Sequence, residues 1–229
     1  SSEEQAWLAG REEIIVACDD AYPPFEFRNQ NGDLDGMMVE VIRWIATEYG
    51  FRVRFLPSTL VEVQQAVLNG QADMISFLFY SESRDRVFDF SGTVFEIPAT
   101  IFVRADRPDV RSVDDLAHLT VGLPDGDYAV EFLKKQQFTG NIVLSGTMQT
   151  VTENLLEGRV DAIIGDEQVV LYQLYQSGKI SRVKRLEKPL YVGEARMVVA
   201  EKNRVLLGIL EKGVNRAHEK GIIYAIARK

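Results

Sequence analysis

Apolar positions along the chain change their period repeatedly, and the changes predict alternating strands and helices. Ile14-Ile15-Val16-Ala17-Cys18 is an unbroken apolar run, the pattern of a buried strand. It stops at Asp19-Asp20-Ala21-Tyr22-Pro23-Pro24, where two prolines end sheet pairing and stiffen a loop. Phe25-Glu26-Phe27 alternates as a strand does, and Asn31-Gly32 is a hairpin turn. From Met37 to Tyr49 the apolar residues Met37, Val41, Ile45 and Ala46 recur at helical spacing, and Gly50 is placed to end that helix. A strand at Arg52 to Leu56, a helix at Leu60 to Asn69 and a strand at Met74 to Phe77 follow. This alternation is α/β. Upstream, Ser2-Glu3-Glu4-Gln5 has the form of a capping box before a short helix with Trp7 and Leu8.

The pattern continues beyond Phe95. Thr100 to Val103 and Thr120 to Leu123 read as strands, Ser112 to Leu116 as a short helix, and Tyr128 to Lys135 as a longer one. Ala195 to Ala200 is a further strand, taken as a return crossing. Val205 to Arg228 reads as one helix, with Leu206, Leu210, Val214 and Ala217 on a single face. One stretch is echoed. Leu68-Asn69-Gly70-Gln71-Ala72-Asp73-Met74-Ile75 matches Leu156-Glu157-Gly158-Arg159-Val160-Asp161-Ala162-Ile163. Each copy is a helix end, a glycine, two residues, an aspartate and an apolar strand. One copy is what any helix-to-strand loop looks like; two in register favour two similarly built lobes.

Length and composition narrow the picture. A chain of 229 residues makes one large domain or two lobes of about 100 residues each. Hydrophobic residues make up 46% and charged residues 26%, which is ordinary globular usage and argues against disorder. The 26 Lys and Arg against 34 Asp and Glu give −8, the wrong sign for a general nucleic-acid binder. A single cysteine, Cys18, rules out an internal disulfide and a Cys-based zinc site. No apolar run reaches membrane-span length. The chain opens at Ser1-Ser2 without a signal peptide and stops inside a helical pattern. It reads as a piece of a longer protein whose flanks carry the targeting information.

Catalytic and metal motifs do not fit. His118 and His218 stand far apart, and no His-x-x-x-His, Gly-x-Ser-x-Gly or Walker loop occurs. Asn29 to Gly36 invites a calcium-loop reading, but neither register places both the glycine and the final glutamate correctly, so a solvated hairpin turn is favoured. No cofactor and no metal is expected. Asp19 with Tyr22, Arg84, and Asp166 remain, at or beyond the ends of predicted strands. In open α/β sheets that is where ligands bind. Arginine on one wall and aspartate on the other suit a zwitterion, because guanidinium takes a carboxylate in two parallel bonds and carboxylate takes an ammonium. Each also has a plainer reading: a surface ion pair with Glu82 or Asp85 for Arg84, a helix N-cap for Asp166.

Val16-Ala17-Cys18-Asp19-Asp20-Ala21-Tyr22-Pro23-Pro24-Phe25-Glu26-Phe27, Asn31 to Gly36, Asn69 to Ile75, Ser83-Arg84 through Asp89-Phe90-Ser91, and Gly158 to Asp166 together resemble the polar amino-acid solute-binding proteins. The resemblance runs from about Ile14 to Lys229. It implies an α/β, two-lobed periplasmic-binding-protein type II (Venus flytrap) fold with two hinge crossings. The lobes would be residues 1–95 with a return segment 199–229, and residues 96–198. It also implies that Arg84 holds a ligand carboxylate, Asp166 an α-ammonium, and Asp19 and Tyr22 the side chain or ammonium. Ser76, Phe77 and Phe79 stand in the run before the arginine loop, where hydroxyl residues are usual. Leu60 stands at a clamp position that is usually aromatic, and Asp125 with Tyr128 at a turn that usually offers free amides. Glu4 to Ala9 and Thr93 to Ile101 resemble the flytrap domains of histidine kinases and diguanylate cyclases.

The function these residues and this resemblance imply is an extracytoplasmic or periplasmic sensor domain that binds a small molecule, an L-amino acid, and signals by lobe closure. A transmembrane helix would adjoin it in the full-length protein. The alternatives are the substrate-binding protein of an ABC transporter, with a permease as partner, and a periplasmic dehydratase using Glu167 or Glu194 as general acid. Asp19 and Tyr22 suit a cationic side chain. Nucleic acid is not an expected partner.

Overall fold

A computed structural model describes residues 1–229. The chain opens with α1 (Ser2–Ala9), β1 (Ile14–Cys18), β2 (Ala21–Tyr22), β3 (Glu26–Arg28) and β4 (Leu34–Asp35). Next come α2 (Met37–Tyr49), β5 (Val53–Pro57), α3 (Leu60–Leu68), β6 (Met74–Phe79) and the long β7 (Phe88–Arg104). Then follow β8 (Thr120–Pro124), α4 (Tyr128–Lys135), β9 (Asn141–Ser145), α5 (Met148–Leu156), β10 (Ala162–Asp166) and α6 (Glu167–Gln176). The chain closes with β11 (Val183–Arg185), β12 (Tyr191–Ala200), α7 (Arg204–Glu219) and α8 (Ile222–Ala227). No helix is long and apolar enough to cross a membrane.

Two compact units divide the chain. The first holds residues 1–20, 25–96 and 194–229; the second holds 21–24 and 97–193. Sequence reading places the boundaries at 95/96 and 198/199. The structure places them at 96/97, within β7, and at 193/194, within β12, where an unbroken strand shows no turn residue to mark a crossing. By its contacts the short segment Ala21–Pro24 groups with the second unit.

In the first unit β1 lies parallel between β5 and β6, and β12 joins β6 antiparallel. Helix α2 buries Met38, Val39, Val41, Ile42, Ile45 and Ala46, because it packs against both the sheet and α7; Met37, expected inside, is only half-buried. Gly36 precedes α2 at φ 122°, and a Cβ there would lie 2.4 Å from the Phe25 carbonyl oxygen. Only glycine meets both conditions, and the close approach lets Met38 N–H donate to that carbonyl at 2.9 Å. In the second unit β10 lies antiparallel to β7 and parallel to β8, which pairs parallel with β9. Its core gathers Ala99, Ile101, Val103, Leu116, Val121, Leu123, Leu133 and Ile164.

The echoed loops do the same work in each unit. Gly70 and Gly158 adopt φ near +78° and +77°. Asp73 Oδ2 accepts from Ile15 N–H at 2.8 Å, while Asp73 N–H donates to Ile15 O at 2.9 Å. Asp161 Oδ2 accepts from Thr120 N–H at 2.9 Å, and Asp161 N–H donates to Thr120 O at 2.8 Å. Each aspartate thus ties the start of its own strand to the start of the parallel neighbour. Each also receives an arginine, Arg11 at 3.0 Å and Arg107 at 2.8 Å.

Two local expectations are corrected. The N-terminal capping box is built on Ser1 with Glu4, not on Ser2 with Gln5, because the helix starts one residue earlier. The C-terminal helix is two helices: left-handed Gly221 breaks the ladder between α7 and α8, although Leu206, Leu210, Val214 and Ala217 are all buried as expected.

Candidate ligand-binding site

The first unit presents its polar groups at the carboxyl ends of adjacent parallel strands. Asp19 follows β1, and its N–H donates to Glu26 Oε1 at 2.8 Å. Arg84 opens a single 3-10 turn beyond β6. Ser81 Oγ accepts from its N–H at 3.2 Å, and its Nη1 donates to the Phe79 carbonyl at 2.8 Å. Arg84 is only 9% exposed, so an exposed surface ion pair with Glu82 or Asp85 does not describe it. A buried guanidinium is stable only where acceptors meet it, and a ligand carboxylate is one such acceptor.

Behind this edge lie further residues that the sequence places in the site, and they are buried or half-buried. Ser76 is fully buried. Phe77 packs on Phe25 with ring centroids 5.9 Å apart, and Phe25 packs on Phe95 at 5.8 Å. Phe79 is buried at the end of β6, and Leu60 packs half-buried against the core beneath α3. Glu26, which sequence reading did not single out, is buried with Oε2 lacking a hydrogen-bond partner. Burial pushes its carboxyl up to about 8; the Ser76 hydroxyl opposes this, and the Asp19 and Asp20 charges add to it. Ser76 Oγ is close enough to act on Glu26, yet it too has no partner of hydrogen-bonding geometry. Burial also raises the Cys18 thiol well above its ordinary range, which leaves it inert.

The second unit brings Tyr22 and Asp166 together. Asp166 ends β10 and stands at the N-cap of α6, but its side chain makes no capping bond. Its Oδ2 instead accepts the Tyr22 hydroxyl proton. Burial raises the Asp166 carboxyl well above the usual carboxylate range, and the charge of Asp127 adds to it, while the bond from Tyr22 opposes both. Burial and the Asp166 and Asp127 charges raise the Tyr22 phenol in turn.

Asp127 was not anticipated. It follows β8, the parallel neighbour of β10, and caps α4 by accepting from Ala129 N–H at 2.7 Å. Its position beyond a strand end adjacent to that of Asp166 was the available signal. Asp125, singled out instead, is exposed, and its N–H donates to Ser145 O at 2.8 Å. Tyr128 packs edge-on against Tyr191 with centroids 5.0 Å apart, and Phe132 lies 4.8 Å from the same ring.

The remaining acids are engaged. Glu167 accepts from Thr100 Oγ1 at 3.2 Å and pairs with Arg185. Glu194 accepts from Thr93 Oγ1 and from Arg196, each at 3.0 Å. No group of three or more His, Cys, Asp or Glu side chains is placed to hold a metal ion.

Residues 14–229 match the model of the bacterial extracellular solute-binding proteins, family 3. The chain is 24% identical over 211 residues to an arginine-binding periplasmic protein of Mannheimia haemolytica, covering 90% of this chain and 86% of that one. It is also 24% identical over 220 residues to the virulence sensor protein BvgS of Bordetella bronchiseptica, covering 93% of this chain but 17% of that protein. A crystal structure of a histidine kinase sensor domain with similarity to periplasmic binding proteins superimposes with a TM-score of 0.90 at 25% identity, covering 95% of each chain. An α/β chain of two such units, matched across nearly its whole length, belongs to the bacterial extracellular solute-binding proteins, family 3.

Proposed function

We propose that this chain is the extracytoplasmic, periplasmic input domain of a membrane-anchored sensor and that it binds an L-amino acid and signals by lobe closure. One observation carries the reading. A buried guanidinium, Arg84, follows a strand of the first unit, and a buried carboxyl, Asp166, ends a strand of the second. Those are the two charges a zwitterion needs, Arg84 for the carboxylate and Asp166 with Tyr22 for the ammonium. The sensor role is supported by the similarity to BvgS and to the histidine kinase sensor domain. The engaged states of Glu167 and Glu194 support binding over turnover, since neither is held as a general acid.

A thermal-shift panel of the twenty L-amino acids tests the ligand class. A ligand at 100 times its Kd adds about 2.7 kcal/mol, which raises Tm by roughly 5–10 °C in a chain of this size. No shift with any of them overturns the amino-acid reading. For the sensor role, the stabilising amino acid is added to membranes carrying the full-length protein. A change in its enzymatic output is expected; ligand-dependent uptake through a permease, with no such output, overturns it.

A further inference from the structure

We infer that the chain pairs with a second copy of itself through β9: two β9 edges join antiparallel about a two-fold axis at Val143, so that the two sheets become continuous.

β9 ends its sheet and pairs with β8 alone. The two ends of the strand show which groups that pairing uses. Asn141 N–H donates to Leu119 O at 2.9 Å, and Ser145 O accepts from Asp125 N–H at 2.8 Å. Successive residues of a strand turn their backbone groups to opposite sides. Asn141, Val143 and Ser145 therefore face β8, and the N–H and C=O of Ile142 and Leu144 face the open edge. Such an edge is a template for another strand, and soluble proteins ordinarily guard it with charge or proline. The other open strands of this sheet are guarded in that way: β5 carries Arg54 and ends at Pro57, and β11 carries Lys184 and Arg185. β9 has neither charge nor proline. Val143 is 38% exposed and Leu144 46%. The uncharged run around them extends from Gln136 to Thr152, longer than any other in the chain.

Charge and register choose the occupant. A chain of net charge −8 repels its own copy, and an uncharged contact adds nothing to that repulsion. The strand also complements itself. With the two-fold at Val143, Ile142 of one copy lies opposite Leu144 of the other, and every open-edge N–H of the two residues meets a carbonyl. Val143 meets Val143 of the second copy at the non-hydrogen-bonded position, where side chains approach closest, and Asn141 lies opposite Ser145. No like charges oppose one another. The contact is small, since one pair of five-residue strands falls below the roughly 1,200 Å² of a standard interface. The dimer is therefore weak, with a Kd on the order of 10–100 μM.

Sedimentation velocity of the full chain across roughly 1–500 μM, a range that brackets that Kd, tests the pairing. Monomer is expected at the low end and dimer at the high end, with more dimer as added salt screens the repulsion. Hydrogen exchange locates the contact. The Ile142 and Leu144 amides should slow as concentration rises, while Val143, already bonded to β8, should not change. Val143→Lys and Val143→Glu each set like charges opposite one another at an exposed position, and each alone should weaken the dimer by roughly tenfold or more. Mixed in equal amounts they should restore it, which also shows that both variants fold. A parent that stays monomeric throughout overturns the inference and leaves the edge to an extended segment of another protein. A dimer unaffected by Val143→Lys, or one that leaves Ile142 and Leu144 exchange unchanged, lies elsewhere and overturns it too. A mixture no better paired than either variant alone overturns the two-fold at Val143.

Discussion

The Tyr22 hydroxyl donates to Asp166, a carboxyl that stands at the start of α6 without capping it. A side-chain cap stabilises a helix by about 1 kcal/mol, and Asp is among the best capping residues. Here the carboxyl is turned to a partner that comes from the Ala21–Pro24 segment, far away in sequence. A polar group diverted from its local role and buried beside a second carboxylate is a liability for the fold. Burial raises the Asp166 carboxyl first, and the charge of Asp127 adds to it.

Tyr22→Phe removes that donor while keeping the ring. A buried acceptor that loses its partner costs about 1–3 kcal/mol. The expected result is a Tm lower by roughly 2–10 °C in a chain of this size, followed by calorimetry without ligand. An unchanged Tm shows that the pair contributes nothing to the free chain.

Arg84→Ala is expected to weaken binding of the stabilising amino acid far more than it weakens folding. Removing one partner of a desolvated charge pair costs roughly 3–5 kcal/mol, which is two to nearly four decades of Kd. Arg84→Lys keeps the charge but loses the planar fork, so it should recover only part of the affinity. Titration calorimetry with all three chains measures this. Equal affinities exclude Arg84 from the site.

The paired aspartates predict where acid acts on the second unit. Asp161 has its carboxyl lowered by the Thr120 amide first, against a smaller cost of burial, and by Arg107. A carboxyl lowered by folding contributes stability above its unfolded pKa of about 3.9, and that stability is lost as pH falls through the folded value. Asp161→Asn should therefore be less stable than the parent at pH 7 and approach it as the pH drops below about 4. Hydrogen exchange at the β8 amides, Thr120 above all, reports the change within that unit. Equal exchange at pH 7 contradicts the tie between the strands.

Much of the architecture was readable from local signals. Helix α2 ends at Gly50 and α4 runs Tyr128–Lys135 as their spacing predicts, because each start and stop is set by neighbouring residues. The echo around Gly70 and Gly158 was visible as a pattern, but its purpose was not. The partners of Asp73 and Asp161 are backbone amides on other strands, and an amide leaves no trace in side-chain identity. Asp127 was hidden for a related reason. Asp125 stands in the same turn, and the sequence does not say that the charge of Asp127 is the one that acts on Asp166. Phe77 and Ser76 stand in the run before the arginine loop, and the sequence does not say which way either points. Every residue of β6 is buried, and a strand buried on both faces has no alternation to say which way a side chain points.

Glu26 links the fold to pH in the opposite sense from Asp161. Its folded carboxyl titrates at about 8, chiefly through burial, while in the unfolded chain it titrates near ~4.3. Between those values the folded chain holds a proton that the unfolded chain has released. This group therefore favours folding most below about pH 4, and the advantage is lost as pH rises toward about 8. Each tenfold difference in proton affinity is about 1.4 kcal/mol, so the loss reaches a few kcal/mol. Glu26→Gln has nearly the same shape and no titration. Its carbonyl can accept from Asp19 N–H, as Oε1 does now, and its amide can turn toward the orphan Ser76 hydroxyl. The Gln chain should melt roughly 10–20 °C above the parent at pH 8.5 and no higher than it at pH 4.5. Melting curves of both chains across that range decide the matter through their difference, which cancels every other titrating group. A difference that stays constant with pH shows that Glu26 is charged in the folded chain and is held by a partner other than a proton.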